Sequence, residues 1–360
     1  MTVTATHVAS STGPCGLPHS VDESPNIVAE EGYCLAVRAL DTREVYNQIE
    51  GADGDFRTIV AGDVLLGALG ERQALKGFSG RIPRQIAPGD TLNVLNMGGI
   101  LGRATGEHPD LGVALRVEVL GAVLTGAPAR HARIQDHAID LAEHLAVSAP
   151  LVMVSGTAMN TGKTFAAAAL VAGLTARGLR VAAAKLTGAS LMRDVRAMEA
   201  QGAVAVATFT EAGVVASTGR DMVPVAKGLV QHLNTVAAPD VLVLELGDGI
   251  IGPYGVDDIL QDMELQRLTA AHVLAATDLA GAWAADQLFR TRYRSGLAAV
   301  VGPATDTEVG RRYVQNTLGV AAVNARSEPD RLVAIVAARV ARFDTPAGDG
   351  FGLDAALTTP

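Results

Sequence analysis

Residues 151–173 read LVMVSGTAMNTGKTFAAAALVAG, and the fold class follows from how those letters can be laid out in space. The run 151–154 is continuously apolar, as a strand buried on both faces requires. It enters the loop Gly156-Thr157-Ala158-Met159-Asn160-Thr161-Gly162-Lys163-Thr164, and from Phe165 an alanine-rich stretch suits a helix. Backbone N–H groups in such a loop, together with the positive end of the helix dipole, form a cradle for a nucleotide β-phosphate. Lys163 is then expected to reach the β- and γ-phosphates, and the Thr164 hydroxyl to hold Mg²⁺. The expected nucleotide contacts are Gly156, Thr157, Asn160, Thr161, Gly162, Lys163, Thr164 and Phe165. A glycine-bounded turn with no ligand is the bland alternative, and Gly-Lys-Thr between a strand and a helix weighs against it.

Downstream of this segment, short apolar runs alternate with helical stretches, the pattern of a parallel sheet with right-handed crossovers. Strands are expected at 151–154, 180–184, 205–208, 241–245, 273–276 and 298–301. Such sheets collect their chemistry at the carboxyl ends of the strands. There, Lys185 leaves the second strand toward Gly188, and Glu245 ends the otherwise apolar fourth. A carboxylate in that position is costly unless a cation, a metal or water meets it. Asp194 follows Lys185 at a turn or helix start, where Arg193 and Arg196 could pair with it on a solvated face.

The string Gly156-Thr157 followed by Gly162-Lys163-Thr164 resembles the phosphate loop of dethiobiotin synthetase and its amidoligase relatives, over roughly residues 150–342. The resemblance implies an α/β fold with a mostly parallel, doubly wound P-loop sheet in the C-terminal part. It implies ATP and Mg²⁺ as cofactors, with Lys163 and Lys185 catalytic. Thr164, Asp194 and Glu245 would be metal ligands, and Gly302 and Pro303, with Asp306, would line the adenine pocket. The reaction implied is activation of a small carboxylate or carbamate by phosphoryl transfer, in a homodimer. This chain departs from the family pattern at Ala158 and Asn160, where acidic residues are usual, at Leu186, where proline is, and at Asp248, where a neutral residue is. Relatives that dimerise around ATP carry an extra lysine near Ala158, which is absent here. That argues against a filament or partitioning ATPase, but a partner-regulated NTPase acting as an assembly or chaperone-like factor stays open. So does a degenerate P-loop domain with a structural nucleotide.

Upstream, residues 26–127 show period-two patterning broken by Gly and Pro, as expected of a smaller β-rich N-terminal domain, barrel or sandwich. In the run Gly98-Gly99-Ile100-Leu101-Gly102-Arg103, tight turning is the expected use of the glycines, ahead of close approach to a ligand. Residues 128–149 place Ile134, Ala138, Leu141 and Leu145 at helical spacing, so a connecting helix is expected there. His131, His137 and His144 lack the i,i+4 pairing of a helical metal site. Residues 1–25, rich in Ser, Thr and Pro, read as a flexible arm, and 343–360 as a flexible tail. Two late segments copy useful letters without the chemistry. Residues 305–310, TDTEVG, have Arg311 and Arg312 where a phosphate loop needs Lys and Thr, and Asp278 suits a helix cap.

The net charge of −9 argues against nucleic acid or an anionic membrane as partner, since either would call for a basic footprint. Only Cys15 and Cys34 occur, so neither a disulfide framework nor a cysteine zinc site is expected. No apolar stretch approaches the ~18–20 residues of a membrane span, and the N-terminus lacks the form of a secretion signal. A cytoplasmic enzyme acting on ATP and a small carboxylate is the expectation.

Overall fold

The structure is a computed structural model that describes residues 1–343. The tail expected over 343–360 therefore lies, beyond Phe343, outside the described residues. The chain forms two sheets of consequence, a β-rich N-terminal part and a seven-stranded parallel sheet flanked by helices.

In the N-terminal part, five strands close on themselves. Arg116–Thr125 pairs with Cys34–Ala39, which pairs with Val64–Leu69, which runs parallel to Ile100–Glu107. Thr91–Val94 bonds to both Ile100–Glu107 and Arg116–Thr125, completing a small barrel. Alternate residues fill its interior: Leu35 and Val37 from one strand, Leu65 and Leu69 from the next, Val117 and Val119 from a third, all 1% exposed or less.

Two sequence expectations fail here. Residues 1–25 are not an arm: Thr2–Thr4 and Ser20–Ser24 extend the barrel sheet beside Arg116–Thr125. Their polar composition is reconciled with burial by backbone partners, since Ser11 Oγ donates to Gly99 O at 3.0 Å and Thr12 Oγ1 to Ala9 O at 2.8 Å. Residues 128–149 form no α-helix, only the short strand Arg130–His131 and the 3₁₀ turn Ile134–His137. Ile134 and Leu145 are buried, but Leu141 is 55% exposed, so the apparent stripe does not share one face. The N–H groups bond to the second domain instead: Ile139 to Glu211 O, Ala142 to Pro224 O and Leu145 to the Glu264 carboxylate. This strap gains from tertiary partners what a helix would have supplied internally.

The C-terminal domain runs β1 (Leu151–Gly156), α1 (Lys163–Thr175), β2 (Val181–Thr187), α2 (Arg193–Glu199), β3 (Ala205–Thr208), α3 (Val223–Ala237), β4 (Val241–Leu246), α4 (Val256–Gln261), α5 (Met263–Leu268), β5 (Thr269–Ala275), α6 (Leu279–Thr291), β6 (Leu297–Val301), α7 (Glu308–Tyr313), β7 (Ala321–Ala322) and α8 (Pro329–Val340). The strand order is β3-β2-β4-β1-β5-β6-β7, and every pairing is parallel. Each predicted strand is present. Alternation along β1 serves both faces: Val152 and Val154 pack with Leu170 and Leu174 of α1 and Leu332 of α8, whereas Leu151 and Met153 pack with Leu229 and Leu233 of α3 and Phe289 of α6. Small residues let α1 approach α8 closely, for a Cβ on Gly173 would stand 2.4 Å from Val333. Among the described residues no helix is long and apolar enough to cross a membrane.

The chain's path places β1 where its progress across the sheet reverses, between β4 and β5, and this is where doubly wound sheets open a crevice. The barrel closes over that end of the sheet. Asn96 Nδ2 donates to Ser190 O at 2.7 Å, and Met192 N to Glu50 Oε2 at 2.6 Å. The Gly98 expectation is also corrected: a Cβ there would lie 1.8 Å from Ser190 O. That glycine is required by the seam between the domains rather than by a turn alone. Residues 188–192, which lead into α2, are thus fixed from the barrel side.

Candidate nucleotide and phosphoryl-transfer site

The loop between β1 and α1 begins tightly because neighbouring side chains leave no room for a Cβ at its first glycine. At Gly156 a Cβ would meet Thr161 Oγ1 at 2.6 Å and Lys163 Cδ at 2.9 Å. Gly162 caps α1 with φ of 92°, and Asn160 has φ of 57°, a region open to Asn at modest cost. Thr157 N donates to Ala275 O, and its hydroxyl accepts from Thr277 N, tying the loop to the end of β5. Thr161 Oγ1 donates to Ala158 O at 3.2 Å.

Four side chains from four elements meet beside this loop. Thr164 on α1 donates to Asp194 Oδ1 on α2 at 3.1 Å and to Glu245 Oε1 on β4 at 3.0 Å. Lys185, at the end of β2, donates to Asp194 Oδ2 at 2.5 Å and Glu245 Oε1 at 2.6 Å. Lys185 and Glu245 face each other because β2 and β4 pair in that register. Glu245 is 1% exposed, and among the described residues its Oε2 has no hydrogen-bond partner. Burial alone would lower the Lys185 pKa, but the carboxylates of Asp194 and Glu245 hold it above the ordinary lysine value. Burial likewise works to raise Asp194, and Lys185 overrides it, leaving the carboxyl at about 2.

Lys163 is 6% exposed and donates to Ala158 O at 2.7 Å. Burial lowers its pKa to about 8, Lys185 adds to the effect, and Glu245, Asp248 and Asp194 oppose it. The charged lysine is therefore poorly compensated by the protein itself, the electrostatic setting in which an added anion is welcome.

The other end of the loop faces a shallow recess. Gly302 and Pro303 follow β6 and stand beside Asn160, Thr161, Gly162 and Phe165, with Asp306 on the rim. Gly302 has φ of 87°, and a Cβ there would lie 2.5 Å from Thr161 O. Gly302→Ala is expected to cost about 1–3 kcal/mol of stability and to weaken nucleotide binding by displacing the loop. Thermal unfolding and nucleotide titration check this, and an unchanged midpoint with unchanged affinity would oppose it.

Sequence reasoning missed the far wall of this recess. Asn324 donates to Asp306 Oδ1 at 3.1 Å, and the Arg326 guanidinium lies 5.8 Å from the centre of the half-exposed Phe165 ring. Both follow β7, whose two residues are too short to give a periodic signal. The two lookalike segments are helix caps: Asp278 accepts from Gly281 N at 2.7 Å, and Thr307 from Gly310 N at 3.4 Å.

For a divalent ion, the donor set of Thr164, Asp194 and Glu245 is oxygen-only, and the unpartnered Glu245 Oε2 leaves coordination capacity. One or two carboxylates plus phosphate oxygens is how Mg²⁺ is usually held, so these residues fit that ion. Among the described residues no group of three or more His, Cys, Asp or Glu could hold a metal. A carboxylate-only cage is thereby set aside, and a site completed by phosphate is not.

No protein-family model and no curated protein matches the chain. Among solved structures it is similar to the signal recognition particle receptor FtsY from Elizabethkingia anophelis, at 15% identity and a TM-score of 0.37, covering 53% of this chain and 65% of that one. A DUF1611 family protein from Anabaena variabilis is similar at 13% identity and a TM-score of 0.40, over 55% of this chain and 61% of that one. HypB from Helicobacter pylori, in complex with nickel, is similar at 14% identity and a TM-score of 0.36, over 57% and 93%. The chain spans less than two thirds of the length of the first two.

Proposed function

We propose that the chain is an ATP-dependent enzyme of the dethiobiotin synthetase type, activating a small carboxylate or carbamate by phosphoryl transfer. The observation that carries this reading is the meeting of Lys163, Thr164, Lys185, Asp194 and Glu245 at one end of the sheet. Such chemistry asks the protein for positioning and charge neutralisation more than for covalent participation.

The loop amides of residues 156–164 and Lys163 hold the β- and γ-phosphates. Lys163 also stabilises the negative charge that builds on the bridging oxygen as the bond to the γ-phosphorus breaks. Lys185 supplies a second ammonium group for the transferred phosphoryl oxygens and orients the substrate carboxylate. A carboxylate oxygen attacks the γ-phosphorus, ADP leaves with the bond's electron pair, and an acyl phosphate results. An amine then forms a bond to the acyl carbon, inorganic phosphate leaves, and the amine loses a proton. Thr164, Asp194 and Glu245 would hold Mg²⁺, which supplies charge neutralisation on the phosphate oxygens. Glu245 acts as a ligand rather than a base, since its Oε1 is already shared by Lys185 and Thr164.

The alternative, an NTPase regulated by a protein partner, differs in what stimulates turnover. ADP release should be slow with ATP alone and rise at least tenfold with one member of a panel of small carboxylic and amino acids, with mass spectrometry identifying the product. GTP is run in parallel to settle the base. Turnover indifferent to every acid, or no binding of either nucleotide with magnesium present, would sink the reading.

A further inference from the structure

Between the barrel and the phosphate loop lies a cleft of about 340 Å³, within the ~300–1,000 Å³ of small-molecule sites. It is continuous with the site already described, because Asn160, Lys185 and Asp194 line it. Its opposite wall is the barrel, which contributes Arg72 and Lys76. Arg72 is 6% exposed, its guanidinium donates to Leu95 O, and among the described residues it forms no ion pair. A buried cation without a counter-charge is expensive unless an anion arrives to meet it. Leu95 is followed directly by Asn96, which bonds to Ser190 O, so the contact that docks the barrel also aims this arginine.

The cleft's ionic lining favours an anion. Arg72, Lys76, Lys185 and Arg193 line it with Asp194 and Asp248, and Glu245 pairs with Lys185 from just outside the lining while Arg193 pairs with Asp194, so the unmatched positive charge lies with Arg72 and Lys76 on the barrel wall. That unmatched charge stands out in a chain whose net charge is −9. The two ends of the cleft also differ. Lys185 stands at the phosphate-loop end, where Asp194 and Glu245 already engage it, and Arg72 and Lys76 stand on the barrel wall. A guanidinium fork suits a carboxylate held by two parallel hydrogen bonds.

We propose that this cleft binds a small dicarboxylate, one carboxylate held by Arg72 and Lys76 of the barrel, the other presented to Lys185 and the phosphate loop. The inference rests on the function proposed above and deepens it: the barrel is the part of the chain that selects the substrate, and it does so within one chain.

The test is calorimetric titration of the full chain with malonate, succinate, glutarate and adipate, against butyrate and inorganic phosphate, with and without a non-hydrolysable ATP analogue and magnesium. At least one dicarboxylate should bind ten times more tightly than butyrate. Arg72→Met should remove that advantage and Lys76→Met should reduce it three- to fivefold, both with analogue affinity within twofold of the parent. Lys76 is exposed, so its variant decides the matter even if the arginine variant fails to fold. The inference is overturned if no dicarboxylate exceeds butyrate, if phosphate matches the best of them, or if the Lys76 variant keeps the full preference. Failure of the analogue to bind would instead strike the functional reading, and the titrations without nucleotide separate the two.

Discussion

Lys163→Met will lower kcat by on the order of 10²–10³, the loss typical of removing one positioned electrostatic stabiliser, while making the ligand-free protein more stable. The two effects share a cause. Lys163 is buried beside Lys185 and, among the described residues, donates only to the Ala158 carbonyl, and its pKa is lowered to about 8. Holding that charge in the folded state is unfavourable by roughly 3 kcal/mol at neutral pH, since each tenfold loss of proton affinity on folding costs about 1.4 kcal/mol. A methionine of similar length removes the charge and keeps most of the packing, so the unfolding midpoint should rise. The sign with pH follows. The unfolded chain binds more protons than the folded one between about pH 8 and the ordinary lysine value, so the parent gains stability as pH rises through that window and the variant does not. Nucleotide binding should restore the proton, so titrations near pH 8 in buffers of different ionisation enthalpy should report proton uptake in the parent and none in the variant. A variant that turns over within a few-fold of the parent would remove Lys163 from the mechanism.

The contrast between legible and illegible parts of this chain has a physical origin. Residues 151–173 are readable because each position is constrained by its neighbours in sequence: a strand buried on both faces, a loop that must turn, a helix that must start. Glu245 is readable for a related reason, since a carboxylate closing an apolar strand needs a partner, and Lys185 lies opposite in strand register. Closure of the barrel is not readable, because Thr91–Val94 pairs with two strands whose registers no local pattern records. The same holds for the strap at 128–149, where the helical spacing is real but the N–H groups of Ile139, Ala142 and Leu145 bond to residues more than 70 positions away. Ser10, Ser11 and Thr12 look like solvent-loving chain and are buried. Arg72 and Lys76 give no signal, since their nearness to Lys185 arises only when two independently patterned domains dock.

Lys185→Met tests the cluster from its other side, and here stability should fall. Glu245 would be left as a buried carboxylate without a cation, and Asp194 with only Arg193, 3.6 Å from its Oδ1; breaking a buried pair costs about 3–5 kcal/mol. In the parent, Lys185 holds the Asp194 pKa at about 2, below the ~3.9 of an unperturbed aspartate. That interaction stabilises the parent fully above about pH 4, and the benefit is lost as pH falls toward 2. In the variant, burial is opposed only by Arg193 and the Thr164 hydroxyl, so the Asp194 pKa should rise from its value in the parent, and the gap in stability between parent and variant should be widest near neutral pH and narrow on acidification. Magnesium gives a second readout. If Thr164, Asp194 and Glu245 are its ligands, as proposed, the ion should raise the unfolding midpoint of the variant more than that of the parent, in which Lys185 already neutralises the same oxygens. Adding Glu245→Gln to the variant should recover part of the lost stability, because it removes the charge left without a cation at nearly constant volume. Activity should fall by on the order of 10²–10³ in every Lys185 variant, whatever its stability, if this is the group that orients the carboxylate, as proposed. If Lys185→Met unfolds at the same temperature as the parent at pH 7 with EDTA present, then the ammonium group is not what stabilises the two buried carboxylates, and its proposed share in phosphoryl transfer loses its physical basis.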